Sequence, residues 1–147
     1  MKIRRVSFYR RKEHVMKKRK IKRGQIYMAK LDPAVGSEQN GDRPVLIVQT
    51  NYLNRNSPTV TVVTISSKVH KRRDLPVHVI VRCVGLPKNS IALAEQIRTL
   101  DKSRLTKYMG NASQSTMERI DHALKFSTGL IKNAGGSEKT NDLPRIG

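Results

Sequence analysis

The sequence predicts an α+β domain, a small curled antiparallel sheet with helix following it. Three observations carry that expectation. Short runs rich in Val, Ile and Thr recur between Gly24 and Leu100, each bounded by Pro, Gly, Asn or Asp, as strands and turns require. Few of the connections could house a crossover helix, so neighbouring strands should run antiparallel. After Ser115 the apolar spacing turns helical, with Met117, Ile120, Leu124 and Ile131 near one side.

Taken in order, the first strand covers about Gly24–Leu31, where Ile26 and Met28 alternate with Gln25, Tyr27 and Ala29. Asp32-Pro33 ends it and opens a long polar loop that holds Gly36, Ser37, Glu38, Gln39, Asn40, Gly41 and Asp42. The second strand, Pro44–Gln49, is apolar at successive positions, as expected of a strand covered on both faces. Asn51–Ser57 is turn-rich, with room for one helical turn, and Pro58 introduces a third strand over Thr59–Ile65. A basic loop follows, containing Lys68, His70, Lys71, Arg72 and Arg73.

The fourth strand, Val77–Val84, sets Val77, Val79, Val81 and Cys83 on one face. The fifth, Ser90–Leu100, sets Ile91, Leu93 and Ile97 on one face together with Glu95. A carboxylate there should be paired, and it reads either as a salt-bridge partner of an arginine or as a catalytic group. Asp101 is placed to cap a short helix through Tyr108. Ser115-x-x-Glu118 has capping-box spacing, and Gly135-Gly136 should stop the helix it begins.

At 147 residues and 37% hydrophobic content the chain suits one domain with its own core. No stretch approaches the roughly 20 apolar residues that span a bilayer. Cys83 is the single cysteine and reads as a buried, inert thiol, so a cytoplasmic setting is expected. The net charge is +19. Residues 1–23 hold twelve Lys/Arg against Glu13 alone, and the remainder is also basic. Such a chain suits a polyanion, above all nucleic acid, because neutralised phosphates release counterions. Residues 1–21 read either as part of that binding surface or as a disordered, solubilising extension, and 133–147 as a disordered tail. Met16 is a second candidate for the start of translation.

No phosphate-binding glycine loop with its lysine, GxSxG elbow, CxxC pair or HExxH spacing is present. What remains is arginine and hydroxyl chemistry around phosphate. Arg43 sits at the exit of the polar loop, and Pro44 holds it extended. A guanidinium so placed can neutralise a phosphate whose charge grows in a transition state. Ser66 and Ser67 close the third strand with hydroxyls that could reach the same group. His70 and His78 are candidate proton acceptors, although His78 sits mid-strand and reads first as a structural residue.

Four blocks, KRGQIYMAKLDPAVGSEQNGDRPVLIVQT, SPTVTVVTISSKV, LPVHVIV and IALAEQIRTLDKSRL, resemble the MazF/PemK-like toxins of bacterial toxin–antitoxin systems in order and spacing. The resemblance covers most of Lys22 to about Leu130, so residues 22–132 are expected to form the toxin domain. It implies a small SH3-like antiparallel barrel with a C-terminal helix packed on it, assembled as a homodimer. The implied activity is sequence-specific cleavage of single-stranded RNA without metal or other cofactor, leaving a 2′,3′-cyclic phosphate and a 5′-hydroxyl. An antitoxin with an acidic tail is the implied inhibitor. Carried onto this chain, the catalytic arginine falls on Arg43 and the catalytic hydroxyl, usually threonine, on Ser66. Gly36, Ser37, Glu38 and Gln39 would line the RNA groove, with Ser67, Lys68 and Lys71 on the other wall and Gln96 at a base. Two rival readings share the fold: a non-catalytic nucleic-acid-binding module and a toxin that poisons DNA gyrase.

Overall fold

The computed structural model describes residues 20–33, 35–36, 41–68 and 75–132. The expectations for most of the basic extension, for the 133–147 tail and for Ser37, Glu38, Gln39, His70 and Lys71 lie outside them.

Strand β1, Gln25–Lys30, begins where Gly24 turns the chain with φ +93°. It pairs antiparallel with β2, Asp42–Ile47, so that Ala29 faces Arg43 and Met28 faces Pro44. A short helix α1, Asn51–Asn56, supplies the turn expected there and leads to β3, Thr59–Ser66. Buried Asn54 locks that turn, donating to the Gln49 carbonyl at 3.0 Å while its own Oδ1 accepts from Gln49 Nε2 at 3.0 Å. Then come β4, His78–Ile80, and the long β5, Ile91–Asp101.

The fourth strand is shorter than expected, although the face assignment holds. Val79 and Val81 enter the core, and Val77 and Cys83 pack against it. The helix expected from Asp101 to Tyr108 is instead one 3₁₀ turn, Lys102–Arg104, followed by strand β6, Leu105–Asn111. Asp101 does cap, accepting from Ser103 N at 2.9 Å, but the free edge of β1 takes the following residues as a strand.

Helix α2, Gln114–Ser127, is capped by Ser113 rather than Ser115: its Oγ accepts from Thr116 N at 3.2 Å. The helix ends well before Gly135. Gly129 turns left-handed at φ +78°, and Leu130 N closes back on the Lys125 carbonyl at 2.8 Å.

The sheet order is β4-β5-β3-β2-β1-β6, antiparallel throughout. Both faces are buried, as the apolar run of the second strand predicts. Leu46, Val63 and Ala92 pack with Ile120 and Ala123 of α2, whereas Tyr27, Val45, Ile47 and Val62 form a second cluster on the other face. The hydrogen-bonded order has β4 and β6 at its two ends, so of the expected SH3-like barrel the structure shows an antiparallel six-stranded sheet whose end strands are not hydrogen-bonded to each other. The chain after β4 still reaches β6, where the Cys83 thiol donates to the Met109 carbonyl at 3.3 Å. Among the described residues no helix is long and apolar enough to cross a membrane.

Candidate active site

The loop ends of β2 and β3 lie side by side. Val45 faces Thr64, Leu46 faces Val63 and Ile47 faces Val62, and this antiparallel register runs on toward Arg43 and Ser66 at the strand tips. By the two-residue repeat of a strand, Arg43 and Ser66 share the face of Val45 and Thr64.

A cleft of about 190 Å³ opens at this end of the sheet. Arg43, Pro44, Ser67 and Ser90 line it together with the apolar Ile65 and Met109. Arg43 is half-buried and lines the cleft beside apolar side chains, a setting in which a cation's attraction for a phosphate is screened less than in open water.

Ser67 is held by the turn before β5: Asn89 Nδ2 donates to the Ser67 carbonyl at 2.9 Å, and Ser90 Oγ donates to the Pro87 carbonyl at 2.7 Å. Ser66 is not among the residues that line the cleft: it is only 2% exposed, and its Oγ accepts from Lys68 N at 3.2 Å. A hydroxyl that accepts an N–H keeps its own proton for donation. One step deeper on the same face, the Thr64 hydroxyl is buried and has no hydrogen-bond partner among the described residues.

The other expected residues distribute unevenly. Gly36 is exposed, with φ +60°, and Lys68 is exposed just past Ser67. Gln96 stands outside the cleft, in an irregular part of β5 where Thr64 faces Leu93 but Val63 faces Ile97. His78 is also elsewhere. It sits 2.7 Å from Glu95 Oε1 and lines a separate groove with Ser115 and His122 of α2. That contact answers the question of Glu95, whose partner is a histidine rather than an arginine: Leu93 faces His78, which brings Glu95 alongside β4.

Sequence reasoning missed Asn89, Ser90 and Met109. The only signal was a hydroxyl at the start of a strand, too common to single out.

Comparisons with known proteins place the chain in a family. A family model described as PemK-like, MazF-like toxin of type II toxin–antitoxin system matches residues 22–128. The chain belongs to this family. Within it, the chain is 44% identical over 113 residues to Endoribonuclease EndoA of Bacillus subtilis (strain 168), covering 76% of this chain and 97% of that relative. Among solved structures, an endoribonuclease in complex with its cognate antitoxin from Mycobacterial species superposes with a TM-score of 0.63 at 31% identity, covering 77% of this chain and 99% of that one. MazF from Deinococcus radiodurans has the same fold, with a TM-score of 0.65 at 21% identity over 76% of this chain and 98% of its own. In this PemK/MazF-like chain the matched span takes in Arg43, Ser66, Ser67 and the turn that holds Ser67.

Proposed function

We propose that the protein is an endoribonuclease toxin that cleaves single-stranded RNA at a specific sequence. The observation that carries this reading is Arg43, an arginine near the start of β2 that lines a partly apolar cleft together with Ser67 and Ser90. Such a group serves one purpose well, to hold a phosphodiester and balance the charge that builds on its oxygens. No nucleophile need come from the protein. The ribose 2′-hydroxyl adjoining the phosphate loses its proton to water as its oxygen bonds to phosphorus, and the 5′-oxygen leaves and takes a proton from water, giving a 2′,3′-cyclic phosphate and a 5′-hydroxyl. In-line geometry is the main requirement, and positioning alone lowers such barriers substantially.

In this proposal Arg43 and Ser66 are catalytic, the Ser66 hydroxyl donating a hydrogen bond to a phosphoryl oxygen. Ser67 and Lys68 hold the neighbouring backbone, and the loop residues Gly36, Ser37, Glu38 and Gln39, with Lys71 and Gln96, contact the bases. No metal takes part. An acidic antitoxin segment opposes the +19 chain, in line with the mycobacterial relative captured with its cognate antitoxin. The working form is a cytoplasmic homodimer.

The test is an oligonucleotide with one cut site, made with ribose or 2′-deoxyribose at that nucleotide alone. Cleavage of the ribose form and an inert deoxy form support the mechanism. Cutting of both would exclude attack by the 2′-oxygen, and binding without cutting of either would favour the rival binding module.

A further inference from the structure

The 3₁₀ turn before β6 carries an arginine with an unusual reach. Arg104 Nη1 donates to the Lys30 carbonyl at 3.1 Å and to the Asp32 carbonyl, across more than seventy residues of sequence. These carbonyls lie where β1 runs out of partner. The β1–β6 pairing ends with Ala29 facing Leu105, so past that point no β6 residue stands opposite β1. A backbone carbonyl there must find another donor or be left to water, and the guanidinium supplies it.

The same short segment closes the polar loop. Leu31 N donates to the Gly41 carbonyl at 3.0 Å, and Gly41 N donates to Asp32 Oδ1 at 2.9 Å. Asp32 is thus held twice, by Arg104 through its carbonyl and by Gly41 through its carboxylate. Two residues after Gly41 comes Arg43, which faces Ala29 across the pair. The turn that presents Arg104 is itself fixed, since Asp101 Oδ1 accepts from both Ser103 N at 2.9 Å and Ser103 Oγ at 2.6 Å. Thr106 Oγ1 adds a bond to the Met28 carbonyl at 3.2 Å.

We propose that Arg104 is a positioning residue that clamps the neck of the loop at Lys30 and Asp32 and thereby fixes the backbone from which Arg43 projects. This rests on the proposed role of Arg43 and extends it to a residue that stands outside the cleft. One nitrogen, Nη1, serves both carbonyls, and the planar guanidinium fixes the directions of its two N–H groups, whereas an ammonium on a flexible stem holds such a pair less rigidly.

The experiment uses the full chain with Arg104→Met and Arg104→Lys. Amide exchange of Gly41 and the Arg43 Nε–H resonance report the neck. Turnover and KM on the one-site oligonucleotide report the chemistry, and the thermal midpoint reports global stability. The Met variant should speed Gly41 exchange, shift the Arg43 resonance and lower kcat on the order of tenfold, with KM within about twofold of wild type. The Lys variant should recover part of each. Unchanged Gly41 exchange and turnover in the Met variant overturn the proposal. So does a loss shared equally by β3 amides, which would make Arg104 a general stabiliser. If wild type cuts no RNA at all, the nuclease reading fails, while Gly41 and the Arg43 resonance still decide whether Arg104 sets the neck.

Discussion

Val45 faces Thr64 across the β2–β3 pair, and the same register followed toward the strand tips carries Arg43 to the neighbourhood of Ser66. Arginine and serine are thereby delivered to one end of one sheet by hydrogen bonds formed far from any substrate. Replacing Arg43 should consequently remove chemistry while leaving the fold. Arg43→Ala is expected to lower the cleavage rate on the order of 10²–10³-fold. Arg43→Lys should restore only part of it, because an ammonium cannot grip two phosphoryl oxygens in the planar fork of arginine. Circular dichroism and single-turnover cleavage of the one-site oligonucleotide check both halves.

Ser66 and Ser67 differ in burial, and their substitutions should separate. Ser66→Ala removes the hydroxyl proposed to donate to the phosphate and is expected to lower kcat with little change in KM. Ser67→Ala removes a group from the rim of the cleft and should raise KM instead. Ser66→Thr, which adds a methyl that stiffens the side chain, should match or exceed wild type. Steady-state kinetics on all three decide the assignment, and equal losses in kcat for both alanine variants would contradict it.

The buried Thr64 hydroxyl has no partner among the described residues, so the fold carries its desolvation cost without return. Thr64→Val keeps the shape and removes the orphaned group. It should leave stability unchanged or raise it by up to about 1 kcal/mol, read from urea unfolding. A clear loss would mean that Thr64 is hydrogen-bonded in solution.

Gly110 of β6 lies against Cys83, where the chain after β4 approaches the other end of the sheet. At φ +146°, a Cβ on Gly110 would lie 2.5 Å from Cys83 Sγ. Gly110→Ala should cost at least about 2 kcal/mol from backbone strain and overlap together. Adding Cys83→Ala should recover the overlap part and leave the strain.

The same thiol has a pH signature. Burial pushes the Cys83 pKa up, so at alkaline pH the unfolded chain releases this proton while the folded chain keeps it. Stability relative to Cys83→Ser should thus be flat below the ordinary thiol range and fall as pH rises through it. Urea unfolding of both proteins at pH 7 and pH 10 measures the difference.

Much of this was legible in the sequence because its signals were local. The Val- and Thr-rich run before Ser66 and the Arg43-Pro44 step mark strands and a strand entrance whatever surrounds them. The apolar second strand announced its burial on both faces. The stretch after Asp101 did not read correctly, since Asp101 caps a turn equally well at the head of a helix or of a single 3₁₀ turn. Only the open edge of β1, invisible in the sequence, makes Leu105–Asn111 a strand. Glu95 shows the same limit: its need for a partner was readable, but His78 was selected by a cross-strand register no local pattern encodes. The grip of Arg104 on Lys30 and Asp32 belongs to that class as well.

The central claim is that Arg43 drives an RNA scission in which the ribose supplies the nucleophile. Its most direct measurement is a long single-stranded transcript incubated with pure protein and chelator, with every new end mapped and its terminal groups identified. Cuts after one short motif, with 5′-hydroxyl and cyclic-phosphate ends that vanish in Arg43→Ala, are the predicted result. An intact transcript, or the same cuts from the Arg43→Ala protein, would contradict it.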